Sequence, residues 1–114
     1  MKLNDMKVNV EPSEGNFPAT GGNAVHHIVS LTDIRLAFKV KSSNNNDYRV
    51  RPVYGFVAPH GYTALELLRS NGPPKDNDKL VIQWAEVPEE ETDPTAPFRY
   101  EAQAGEVILP LRAE

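Results

Sequence analysis

The sequence predicts an all-β chain from three observations. Apolar side chains recur with period two, turn-forming residues separate these runs at short intervals, and no sustained helical stripe occurs. The ten prolines and seven glycines are spread along 114 residues instead of clustering, which suits many short strands joined by tight turns. A chain of this length buries one core, so a single unit over 1–114 is expected, with its core at about 8–112.

Val8 to Val10 reads as the first strand. The turn-forming Thr20-Gly21-Gly22-Asn23 introduces a second, Val25 to Leu31. Ile34, Leu36, Phe38 and Val40 then alternate with Arg35, Ala37, Lys39 and Lys41, the pattern of a half-buried strand with the first set inward. It ends in Ser42-Ser43-Asn44-Asn45-Asn46-Asp47, whose side chains bond their own backbone and favour a turn over a continuing ladder. In the next strand Tyr48 and Val50 point inward, and Arg49 and Arg51 outward. Pro52 lacks a ladder donor, so that strand is short and near an edge.

Tyr54-Gly55-Phe56-Val57 reads as core packing, with an exposed self-association patch as the alternative. Gly61 to Arg69 is assigned to a strand. Its run Ala64 to Leu68 is short for a helix and is bounded by Gly61 and by Asn71-Gly72-Pro73-Pro74. Lys79 to Val87 is apolar on both faces and reads as a central strand, with Trp84 anchoring the core. Pro88 to Pro97 is acidic and aperiodic, a solvated loop. Phe98 to Gln103 and Val107 to Arg112, split by Ala104-Gly105, are expected as closing strands. Seven or eight short strands form a sandwich.

Composition narrows the functions. Cysteine is absent, which removes disulfides, thiolate metal sites and a cysteine nucleophile, and points to a reducing compartment such as the cytosol. Met1 to Val10 lacks the apolar run of a secretory signal. No stretch of about 18 apolar residues occurs, so no membrane-inserted helix is expected. Sixteen acidic against twelve basic residues give a net charge of -4, without global attraction to phosphate backbones, so nucleic acid is not an expected partner.

No catalytic, metal or cofactor site is expected. His26 and His27 are adjacent, so in a strand they face opposite sides and cannot share one metal. His60 sits in a turn between Pro59 and Gly61. Ser42 and Ser43 have no local base, and no glycine-rich loop precedes a helix start to hold a phosphate. Glu89-Glu90-Glu91-Asp93 is irregularly spaced and without glycine, as in a solvated loop and unlike a cation loop.

The sharpest feature is a set of cations. Alternation places Lys39 and Lys41 on one face, with Arg49 and Arg51 outward on the following strand, and Lys79 is a candidate to join them. Either they receive an acidic partner, or they merely solvate the sheet and discourage edge pairing.

Several blocks together resemble the major sperm protein domain. The first is Leu31-Thr32-Asp33-Ile34-Arg35-Leu36-Ala37-Phe38-Lys39-Val40-Lys41-Ser42-Ser43. Tyr48-Arg49-Val50-Arg51-Pro52, Gly55-Phe56-Val57-Ala58-Pro59, Asp78-Lys79-Leu80-Val81-Ile82-Gln83-Trp84 and the tail Ile108-Leu109-Pro110-Leu111 follow in order. The resemblance runs from about Val8 to the end and is strongest to the small sperm-specific relatives. It implies a seven-stranded immunoglobulin-like β-sandwich of the PapD-like kind, and a cis bond at Arg51–Pro52. It further implies a cytoplasmic, cytoskeleton-associated protein of nematode sperm that pairs with itself or with related sperm proteins.

In the adaptor branch of that family, residues matching Lys39, Lys41, Ser43, Lys79 and Val81 hold an acidic peptide containing aromatic residues. Complementary charge captures such a peptide and an apolar seat fixes its side chain. This chain departs from the adaptor pattern, with Val81 where a longer methionine is usual and Asn44 to Asp47 where the loop is usually more basic.

Overall fold

Nine strands and one helical turn follow one another in a computed structural model that describes residues 7–114. The strands are β1 (Val8–Glu11), β2 (Gly15–Phe17), β3 (Gly22–Ser30), β4 (Leu36–Ser42), β5 (Tyr48–Arg51), β6 (Tyr54–Val57), β7 (Tyr62–Arg69), β8 (Lys75–Glu86) and β9 (Gly105–Ala113), with α1 (Ala96–Arg99) between the last two. Residues 1–6, which carry most of the N-terminal reading, lie outside the described ones.

The strands form two sheets, one of four in the order β1-β3-β7-β5 and one of five in the order β2-β9-β8-β4-β6. Neighbours run antiparallel except β2, which lies parallel to β9. This is the all-β sandwich that the alternation predicts, with the immunoglobulin-like form that the family resemblance implies. β3 to β9 supply seven strands, and the short β1 and β2 extend one sheet each.

The core fills the space between the sheets. Leu36, Phe38 and Val40 of β4, Leu80 and Ile82 of β8, and Leu109 and Leu111 of β9 meet Ile28 of β3, Leu65 and Leu67 of β7, and Val8 and Val10 of β1. Burying each such side chain contributes about 1.5–3 kcal/mol. Trp84 is half-buried and packs against this cluster. β7 is a strand, as expected, because Leu65, Leu67 and Arg69 are buried at alternate positions.

The same alternation sends Arg69 inward. Its side chain is 0% exposed; one guanidinium nitrogen donates to the Pro73 carbonyl at 2.7 Å and the group lies 5.1 Å from the Tyr48 ring centroid. The polar turn after β4 forms as its residues suggest. Asn44 Oδ1 accepts from Asp47 N at 3.1 Å, and Asn44 Nδ2 donates to Asp47 Oδ2 at 3.0 Å. The Arg51–Pro52 bond is cis, as is Glu11–Pro12.

Two expectations are corrected. Phe98 to Gln103 is not a strand, because α1 and a turn replace it. Asp93 Oδ1 accepts from Thr95 N at 2.9 Å and Asp93 Oδ2 pairs with Arg99 at 3.0 Å. Pro97 also fits a first helical turn, where its missing N–H has no role. Ile34 is not an inward strand residue. It sits in a bend before β4 and is 44% exposed, since Thr32 Oγ1 takes its N–H in a local turn. Sequence alternation also gave no notice of β2, or of β6 as a paired strand.

Candidate protein-interaction face

The outward side of the five-stranded sheet carries most of the candidate residues. Strand register aligns Tyr54, Lys39, Gln83 and Glu106 in one row across β6, β4, β8 and β9. The next row is Lys41, Val81 and Ile108. A third joins Ser43 to Lys79 and Pro110, because Ser43 N donates to the Lys79 carbonyl at 3.0 Å and Lys79 lies opposite Pro110. Lys39, Lys41, Ser43, Lys79 and Val81 therefore lie together.

Lys41 and Lys79 are exposed, Lys39 and Val81 are half-buried, and Ile108 is 49% exposed. The Lys39 ammonium stands 5.7 Å from the Tyr54 ring centroid. Among the described residues none of the three lysines has a carboxylate within ion-pair distance. The face combines these three lysines, free of ion pairs among the described residues, with an apolar strip made by Val81 and Ile108, while Glu106 shares the Lys39 row and Glu101 lines a cleft beside Lys39 and Lys41.

Its far end is fixed by a buried acid. Asp78 Oδ1 accepts from the Ser43 hydroxyl at 3.1 Å and pairs with the Lys75 ammonium at 3.2 Å, while Oδ2 accepts from Asn44 Nδ2 at 3.0 Å. Burial by itself raises the pKa of Asp78, but the hydrogen bonds from Asn44, Lys75 and Ser43 outweigh it and hold the carboxyl below its ordinary value. Ser43 Oγ accepts from Lys79 N at 2.9 Å, so the hydroxyl holds the β4 end against the β8 start and thereby sets where Lys79 emerges.

The other end is covered. Ala37 and Ala85 face each other across the β4–β8 ladder on this outward side, yet both are 0% exposed. The segment after β8 folds back over the sheet. Arg35, stacked 3.7 Å from the Phe56 ring centroid, donates to the carbonyls of Glu89 at 3.1 Å and Glu91 at 2.6 Å. Phe98 of α1 tilts against Tyr54 at 6.0 Å. A cleft of about 340 Å³ remains between this cover and the cations, lined by Lys39, Lys41, Gln83, Phe98, Glu101 and Gln103.

Arg49 and Arg51 lie elsewhere, because β5 belongs to the four-stranded sheet. Arg51 gives two hydrogen bonds to Glu66 Oε2, at 3.0 and 2.9 Å. Arg49 stands opposite Leu68, and Val25 opposite Glu66, so that outward face mixes charge with two exposed aliphatic side chains. Around the sandwich edge, Arg49 shares a depression with Lys39 and Lys41, and this is its link to the lysine cluster.

Sequence reasoning missed Asp78, Ile108 and Phe98 as parts of the site. Ile108 had a readable signal, since its alternation with Leu109 sends one of them outward; the fold-back that brings Phe98 to Tyr54 had none.

The histidines are dispersed. His26 is buried, with Nδ1 2.7 Å from the Pro12 carbonyl, while His27 packs edge-on against Tyr62 at 5.2 Å. His60 pairs with Asp33 on the surface. Among the described residues no three His, Asp or Glu side chains are placed to hold a metal ion, and no helix is long and apolar enough to cross a membrane.

Comparison with known proteins places this chain in a family. Residues 7–107 match the model of the MSP (Major sperm protein) domain. Sperm-specific class P protein 34 of Caenorhabditis elegans is 63% identical over 106 residues, covering 93% of this chain and 98% of the relative. Sperm-specific class P protein 31 of the same organism is 58% identical over 106 residues, with the same coverage. The solved structure of WR4, a C. elegans MSP family member, superposes with a TM-score of 0.92 at 62% identity, covering 95% of this chain and 98% of that one. The PapD-like domain 7 of human CEP192 gives 0.63 at 9% identity, covering 95% of this chain and 85% of that one, a likeness of fold alone.

Proposed function

The chain belongs to the major sperm protein domain family, and from that premise we propose that it is a non-enzymatic protein-interaction domain of the nematode sperm cytoplasm. In this reading it is one unit that pairs with itself or with related sperm proteins, in association with the cytoskeleton, and needs no cofactor. The observation that carries the reading is the outward face of the five-stranded sheet, where Lys39, Lys41 and Lys79 flank a strip of half-buried Val81 and exposed Ile108. Apolar contact supplies affinity there and the lysines supply orientation and choice of partner.

Light scattering behind size-exclusion chromatography, over a wide range of loading concentrations, tests the self-pairing part. The expected result is a mass that rises with concentration. A monomer mass throughout, together with no capture of purified class P relatives, contradicts it.

A second reading is an adaptor that binds acidic, aromatic-containing peptides on the same face. It is favoured by the direct opposition of Lys41 and Val81, charge beside apolar seat. Titration with such a peptide separates the two, because the adaptor reading expects saturable binding by a monomer that Lys41→Glu abolishes.

A further inference from the structure

The acidic loop at one end of the sandwich is chemically complementary to the lysine face at the other. Glu89 and Glu90 are exposed, and among the described residues neither has a cation within ion-pair distance. Their backbone is held: Arg35 binds the carbonyls of Glu89 and Glu91, and Asp93 is fixed by Thr95 and Arg99. A held loop loses less conformational entropy on binding than a mobile one. Yet it lies too far from Lys79 of its own chain to pair with it. From Lys79 to Glu86, where the loop departs, β8 spans roughly 23 Å at about 3.3 Å per residue, and the α1 segment lies between the two patches.

We propose that the occupant of the lysine face is a second copy of this chain, which presents its loop at Glu89 and Glu90 to Lys41 and Lys79, with Val81 and Ile108 giving the apolar contact beside them. This rests on the self-pairing reading above and names its two surfaces. Net charge of -4 makes two copies repel overall, so approach is favourable only where a cationic patch meets an acidic one. Charge complementarity of this kind selects register and partner more than it adds raw affinity.

Charge reversal with complementation tests the contact. The variants Lys41→Glu/Lys79→Glu and Glu89→Lys/Glu90→Lys change exposed side chains only, and circular dichroism verifies that the sheets persist. Light scattering is read at about 0.02 M and about 0.5 M salt, where the screening length differs several-fold. The expected result is association of the parent protein that weakens at high salt, at least about tenfold weaker association of each variant alone, and recovery in their equimolar mixture. Parent association unaffected by either variant overturns the contact and leaves self-pairing standing. Loss in both variants without recovery in the mixture also overturns it. A parent protein that stays monomeric overturns the contact and self-pairing together, and saturable binding of an acidic aromatic peptide by that monomer would identify the adaptor reading instead.

Discussion

Phe38 of β4 lies directly across the ladder from Gly55 of β6, with its ring edge 2.7 Å from the point where a Cβ on residue 55 would stand. The same row continues through Trp84 of β8 to Gly105 of β9, where a Cβ would meet the indole at 2.6 Å. Each aromatic ring leans over a neighbouring glycine, so these two large inward side chains fit one row. Overfilling such a site costs about 1–3 kcal/mol. Gly55→Ala is expected to lower the urea midpoint accordingly with an unchanged denaturant slope; an unchanged midpoint would refute the close packing.

Arg35 holds the start of the acidic segment by its carbonyls while stacking on Phe56. Arg35→Ala leaves those carbonyls without their cation and is expected to cost about 1–3 kcal/mol. Hydrogen exchange and protease cleavage should rise over 88–93 while the β-sheet dichroism is retained. Equal protection of that segment in parent and variant would mean that Arg35 does not hold it.

Asp78 links the turn after β4 to the start of β8, and its folded pKa is depressed. The sign follows: its contribution is complete above the ordinary aspartate pKa of about 3.9 and is lost as pH falls through the lower folded value. Asp78→Asn should therefore lower stability at pH 7 by about 1–3 kcal/mol, and the gap to the parent should narrow in acid below about pH 3.9. Urea melts at neutral and acid pH measure both; a gap that widens in acid contradicts the assignment.

Tyr48 is buried against the core, and its hydroxyl has no hydrogen-bond partner within the protein. Its ring packs edge-on against Phe17 at 5.6 Å and beneath the Arg69 guanidinium. The ring carries the packing, so Tyr48→Phe should shift stability by less than about 1 kcal/mol, whereas Tyr48→Ala should cost about 3–5 kcal/mol. Equal losses in thermal melts of the two variants would place the stabilisation in the hydroxyl.

Much of this architecture was legible in the residues. Period-two burial in β4, β7 and β8 is a local property, and so were the turn at Asn44 to Asp47 and the grouping of Lys39 with Lys41 on one face. Lys79 joins them by non-local register, which the family resemblance implied and spacing alone did not. Arg49 and Arg51 show the limit: alternation gave their outward direction, but the chain changes sheet between β4 and β5, and no local pattern records a sheet change. Phe98 and Tyr100 alternate like strand residues, yet with Pro94 and Pro97 beside Asp93 the backbone turns helical and Phe98 covers Tyr54 instead of pairing. The resemblance named Ser43 in the site, but its link to Asp78 was not visible, because their hydrogen bond joins residues far apart in sequence.

Backbone amide shifts of the isotopically labelled protein, followed over a dilution series, test the central claim most directly, since they report which face another protein molecule covers. The account predicts concentration-dependent shifts gathered at 39–43, 79–83, 106–110 and 88–91. Shifts confined to 23–27, 49–51 and 66–68 on the four-stranded sheet, or no shifts at any concentration, would contradict it.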